Sequence, residues 1–177
     1  FQDPIISASG LTILTSAIIG NAAEQDGGGI YCHNFVVLDS TIANNTAVGD
    51  SVNYGRGGGI YVPAGAAELR NSTLTRNSAS NGAGLYATRA TLAITNSTIS
   101  GNSATGEGMP PNGWGGGIHN DFGDVLTLTN ATITGNTSQL RGGGLYNNSA
   151  TATLINTIVS SNTAPDGSNV YDTGTIT

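Results

Sequence analysis

The apolar positions of this chain recur at a long interval, and each recurrence carries the same polar mark. An aliphatic residue, two variable residues and an asparagine repeat as Ile18–Asn21, Ile42–Asn45, Leu74–Asn77, Ile99–Asn102, Ile133–Asn136 and Val159–Asn162. A second unit alternates with the first: a glycine-rich step, then an aliphatic residue and usually a tyrosine. It reads Gly27–Tyr31, Gly57–Tyr61, Gly82–Tyr86, Gly115–His119 and Gly142–Tyr146, with a degenerate copy at Gly167–Tyr171. Two motifs alternating at a near-fixed interval predict a solenoid. The asparagines lie 24, 32, 25, 34 and 26 residues apart. One coil therefore takes about 25 residues, a length within the solenoid range, and the second and fourth steps carry insertions. Stretches with the 3.6-residue apolar period of helical repeats are absent. The coil reads as one rung of a parallel β-helix, with rungs about 4.8 Å apart.

Stacking the coils on the asparagine aligns four apolar columns. Leu11, Phe35, Ala67, Leu92, Leu126 and Ala152 form the first. Ile13, Val37, Leu69, Ile94, Leu128 and Leu154 follow two residues later, which is strand spacing. The aliphatic residues of the two motifs supply the others: Ile18, Ile42, Leu74, Ile99, Ile133, Val159, and Ile30, Ile60, Leu85, Ile118, Leu145, Val170. No coil buries its apolar face alone, so the columns predict one continuous core. The asparagine ladder (Asn21, Asn45, Asn77, Asn102, Asn136, Asn162) belongs at a corner. There each amide bonds the amides above and below, and asparagine tolerates left-handed backbone. A looser polar column runs Thr15, Asp39, Asn71, Asn96, Asn130 and Asn156. The glycine steps supply positive φ and close backbone approach at a bend.

Composition narrows the function. At 177 residues the chain suits a single β-helix domain over 1–177. Only 9% of residues are charged, the net charge is −6, and all five cations are arginines scattered along the chain. A nucleic-acid binder needs a basic stripe, so that partner is excluded, and anionic membranes are a poor match for the same reason. No apolar run approaches the roughly 20 residues of a membrane span, which leaves no direct membrane insertion. Cys32 is the sole cysteine and reads as a small core residue.

The paired motifs, Gly-Gly-Gly-Ile with Ile-x-x-Asn, resemble the paired repeats of the chlamydial polymorphic outer-membrane proteins and related bacterial surface β-helices. Their pattern is Gly-Gly-Ala-Ile with Phe-x-x-Asn. Here Ile, Leu or Val replaces the Phe, and usually Gly replaces the Ala. The resemblance covers nearly the whole chain. It implies an all-β, right-handed, pectin-lyase-like parallel β-helix of about six coils. It also implies a secreted or surface-displayed module, often adhesive, of the kind carried beside a membrane barrel.

Three features stand above the scaffold. The first is an aromatic file, Tyr31, Tyr61, Tyr86, His119, Tyr146 and Tyr171, pointing outward if the neighbouring aliphatics point in. It reads as a packing ladder or as a platform for sugar rings. The second is the pair of insertions, Val48–Arg56 and Thr105–Trp114. They emerge on one side about 10 Å apart, as walls of a notch floored by the short Ala79-Ser80-Asn81. The notch offers Asp50, Tyr54, Arg56, Asn81, Glu107 and Trp114 to a ligand, with Pro110-Pro111 stiffening one wall. Drift of surface loops is the competing reading. The third is the two ends. The chain opens near Pro4–Ser7, which resembles the aliphatic-tyrosine strand, and closes just past another copy. It is expected to be either a segment of a longer solenoid or a unit that stacks on itself.

Enzymatic candidates are weaker. Asp121 and Asp124 share one turn after His119 and read as its caps. Glu68 and Arg70 form an exposed pair of little consequence. His33 and His119 lack the partners of a metal or triad site. No catalytic residue, metal or cofactor is assigned. The leading expectation is an extracellular structural or adhesive module, partnered by further copies of itself or by other surface proteins. The alternative is a carbohydrate-binding or carbohydrate-active helix using the notch.

Overall fold

The computed structural model describes residues 6–8, 10–50, 53–107 and 112–177. Pro4 of the opening strand and the Pro110-Pro111 step lie outside the described residues. The chain winds as a right-handed parallel β-helix, and all its strands pair in parallel. Two sheets of seven strands, one of six and one of five run along it.

One coil illustrates the rest. Ile60–Val62 lies on the first side, Gly65–Arg70 on the long second side, Thr73–Thr75 on the third and Ser78–Ala79 on the fourth. Each pairs with its counterpart one coil later in the register set by the apolar columns: Ile60 with Leu85, Leu69 with Ile94, Leu74 with Ile99, Ala79 with Ala104. The alternation fixes this register, because a slip of one residue would turn every aliphatic outward. At the start, Ile6–Ala8 pairs with Ile30–Cys32.

The fourth side was not expected. Its strands are two residues long, too short to show a period, yet they bury a file of Ala23, Ala47, Ala79, Ala104 and Ser138. The expected columns fill the tube, with Ile30, Ile42, Leu74, Ile99, Leu126 and Ile133 fully buried. Each such side chain stabilises by roughly 1.5–3 kcal/mol. Cys32 packs among them with its thiol 3.0 Å from Asn34 O. A second internal amide pair, absent from the sequence reading, stands where coils four and five replace an apolar residue, and it ends on the exposed Asp172 carboxylate. Asn120 Nδ2 donates to Asn147 Oδ1 at 2.6 Å, and Asn147 Nδ2 to Asp172 Oδ1 at 2.7 Å.

The asparagine ladder stands inside the corner. Asn45, Asn77, Asn102 and Asn136 each donate Nδ2 to the next amide oxygen and to a backbone carbonyl of the coil before. The left-handed backbone falls one residue earlier than expected, at Gly20, Asn44, Arg76, Gly101, Gly135 and Ser161. The looser polar column is itself left-handed, φ 47 to 51° from Thr15 to Asn156. Its exposed amides bond one another from Asp39 to Asn156.

Candidate functional site

The first side carries the aromatic file. Its rings alternate with inward residues such as Ile30 and Cys32, so they lie outside the tube. They form an unbroken series, with centroids 5.1, 5.6, 4.3, 4.7 and 5.4 Å apart from Tyr31 to Tyr171. Outward direction does not mean open surface. Tyr61, Tyr86, His119 and Tyr146 are buried, and only Tyr31 and Tyr171 at the two ends remain half-exposed. The ring faces that a sugar would need are thus covered along the middle of the file.

The cover comes from a neighbouring file that the sequence reading did not pick out. The residue just before each glycine step is Asp26, Arg56, Asn81, Trp114, Arg141 or Asp166. Backbone bridges join Arg56 to Asn81, Trp114 to Arg141 and Arg141 to Asp166. The Arg56 guanidinium sits 4.8 Å over the Tyr61 ring and 5.8 Å from that of Tyr86. Asp26 grips it with both carboxylate oxygens, at 3.0 and 2.6 Å. Burial works against the Arg56 charge, but Asp26 outweighs it and holds the guanidinium protonated; burial also pushes the Tyr61 hydroxyl up to about 12. The Trp114 indole stacks on Tyr146 at 5.7 Å and 13°, and meets His119 edge-on. Position relative to glycine was the available signal, masked by the unlike chemistry of the six side chains.

The six notch residues divide between two settings. Arg56, Asn81 and Trp114 belong to this file. Asn81 is only 3% exposed. It donates to Asn112 Oδ1 at 2.8 Å and accepts from the Gly113 and Trp114 amides at 2.9 and 3.0 Å. Ser80 below the first insertion donates to Val48 O and accepts from Gly55 N, both at 3.2 Å. The expected floor is therefore buried beneath the loops, because short loops whose backbone groups need partners fold onto it. Asp50 accepts from Asn53 N at 2.8 Å and closes its own turn. Tyr54 is half-buried and Glu107 is exposed.

His119 departs from tyrosine in the file and gathers a polar cluster. The Tyr86 hydroxyl and Asn148 Nδ2 each donate to Asp121 at 2.7 Å. His119 Nε2 lies 3.7 Å from Asp121, beyond hydrogen-bond reach, and neither ring nitrogen has a partner. Burial lowers the His119 pKa against the pull of Asp121. Burial would raise Asp121, but the His119 ring and the Tyr86 donor outweigh it and hold it below the ordinary carboxylate range. Asp124 accepts from Ala90 N at 2.6 Å and Asp121 N at 3.0 Å, and burial pushes it up to about 7. The two aspartates clamp the turn after His119 to the coils on either side of it.

Beyond the insertions the surface opens again. A groove of about 400 Å³ is lined by Trp114, Leu140, Arg141, Pro165 and Asp166. The Arg141 guanidinium lies 4.8 Å over the Tyr171 ring, and its Nε is 3.5 Å from Asp166. Among the described residues no cluster of histidine, cysteine and carboxylate side chains forms a metal site, and no helix is long and apolar enough to cross a membrane.

Two segments, residues 39–63 and 96–121, match the repeat of the Chlamydia polymorphic membrane proteins. Each contains one ladder asparagine, one insertion and one glycine step. The chain is a parallel β-helix with repeats of this type. The polymorphic-membrane-protein repeats thus include both insertions within their matched length, and the remaining coils follow the same frame by register. That description, a bacterial membrane-protein family, supports a cell-surface setting. No curated protein and no solved structure matches the chain.

Proposed function

We propose that the chain is a rigid extracellular module of a bacterial surface protein, with a structural and adhesive role. The asparagine ladder carries this reading. Buried side chains that spend their bonds on the amides and backbone of adjoining rungs hold coil to coil rather than hold a substrate. The matched repeats supply the surface setting. Both insertions end on the aromatic side, which supports that side as the one turned to a partner. Antibodies against the domain are expected to label intact cells of the bacterium that makes it. Labelling only after permeabilisation would overturn the surface reading.

The same tube suits end-to-end association. Leu154, Val159, Val170 and Ile176 of the last coil are only partly buried, and a rung stacked on them would cover them. A second copy would supply such a rung in a head-to-tail contact. Sedimentation velocity of the domain is expected to show growth with concentration. A single monomeric species across the range would remove self-stacking and leave the surface reading standing.

A further inference from the structure

We propose that the groove at Trp114, Arg141 and Asp166 binds one neutral pyranose ring of a glycan. This gives the adhesive reading a ligand class and depends on it only for biological setting. Binding in solution and display on the cell fail separately.

The site is built on rungs rather than on a loose loop. Trp114 is bridged to Arg141 and Arg141 to Asp166 by backbone pairing, so the three side chains succeed one another at rung spacing. Trp114 is held from beneath: its backbone amide donates to Asn81 Oδ1 and its ring stacks on Tyr146, which stacks in turn on Tyr171 at 5.4 Å and 12°. A platform fixed before the ligand arrives loses little freedom on binding. Leu140, Pro165 and the indole supply apolar lining, and the volume of about 400 Å³ is within the range of small-ligand sites.

The polar groups select the ligand. A pyranose has an apolar C–H face that stacks on an aromatic ring, and hydroxyls that both donate and accept. Arg141 offers donors and no acceptor, while an ionised Asp166 offers acceptors only. The pair lies 3.5 Å apart with both side chains about half exposed, so adjacent hydroxyls can bridge it. A uronate would meet the Asp166 charge and a chain of net charge −6. Neutral sugars are therefore favoured over acidic ones. Arg56 and Asp26 make the tighter counterpart pair at the other end of the file, where the guanidinium already covers the rings. At the Trp114 end a groove stands open beside the Arg141–Asp166 pair.

Trp114 is the sole tryptophan, so its fluorescence reports this site directly. The intact chain is titrated with methyl glucoside, methyl galactoside, methyl mannoside and glucuronate. At least one neutral glycoside is expected to change the emission saturably in the millimolar range, as suits a ligand of that size. Glucuronate is expected to bind at least about tenfold more weakly, and Asp166→Ala to weaken the neutral sugar by about tenfold, the loss of a hydrogen bond to a charged group. Asp166 is exposed, so its variant is expected to keep the wild-type circular dichroism. No saturable change with any neutral glycoside, stronger binding of glucuronate, or an unchanged response in a folded Asp166→Ala would each overturn the proposal.

Discussion

Asn102 donates to Leu74 O at 3.1 Å and Asn136 Oδ1 at 2.9 Å, and accepts from the Asn77 backbone and side-chain nitrogens at 2.9 and 3.0 Å. Truncating it removes a hydrogen bond from each of four buried groups. Asn102→Ala is expected to cost roughly 3 kcal/mol, lowering Tm by about 10 °C in a circular-dichroism melt. Asn96 belongs to the exposed amide column, and glycine accepts its φ of 49° without strain. Asn96→Gly is expected to cost less than about 1 kcal/mol. His119 supplies a second residue-scale test. Its folded pKa is lowered by burial, so its contribution is present above the ordinary value of 6.5 and is lost as pH falls below it. Asp124 acts oppositely: with its pKa raised to about 7, stability declines as pH rises from 3.8 toward 7. His119→Tyr restores the residue found elsewhere in the file and removes the first effect while leaving Asp124 in place. Its Tm relative to wild type is expected to rise between pH 7.5 and pH 5. An equal difference at both pH values would refute the assignment.

At the scale of elements, the glycine steps act mainly through close approach. A Cβ on Gly117 would lie 2.5 Å from Gly144 O and 3.1 Å from Asn136 Nδ2, so it would push two rungs apart beside the ladder. A Cβ on Gly10 meets nothing within 4 Å. Gly117→Ala is expected to lower stability by roughly 2 kcal/mol, and Gly10→Ala to change it by less than about 0.5 kcal/mol, read from urea midpoints. The strands of three sides were legible because Ile13, Ile18, Ile30 and their counterparts recur at fixed offsets from one asparagine. The fourth side was not, because Thr46–Ala47 and its equivalents contain one inward residue each and no period. The left-handed corner was placed one residue late because Asn44 and Arg76 share no chemistry with Gly20, only a backbone conformation.

At the scale of the molecule, stability is close to a sum over neighbouring rungs. The fold was legible for that reason: each rung repeats the same contract between aliphatics and one amide. The site was legible only in part. The sequence singled out Trp114 and the insertions as unusual, but not that the loops would lie down on the rings and bury Asn81. Such loops have no repeat to align, and their packing depends on partners in the adjoining coils, such as Ser80 for Val48 and Gly113. The ladder has a further consequence, for inheritance. From Asn45 to Asn136 each internal ladder residue presents the same hooks above and below. Excising the 25 residues that separate Asn77 from Asn102 would bring Asn136 onto Asn77 with the same bonding pattern. Unequal crossing-over within the gene could therefore lengthen or shorten the tube by whole rungs without making a faulty seam. Reach would then be the trait on which selection acts most freely.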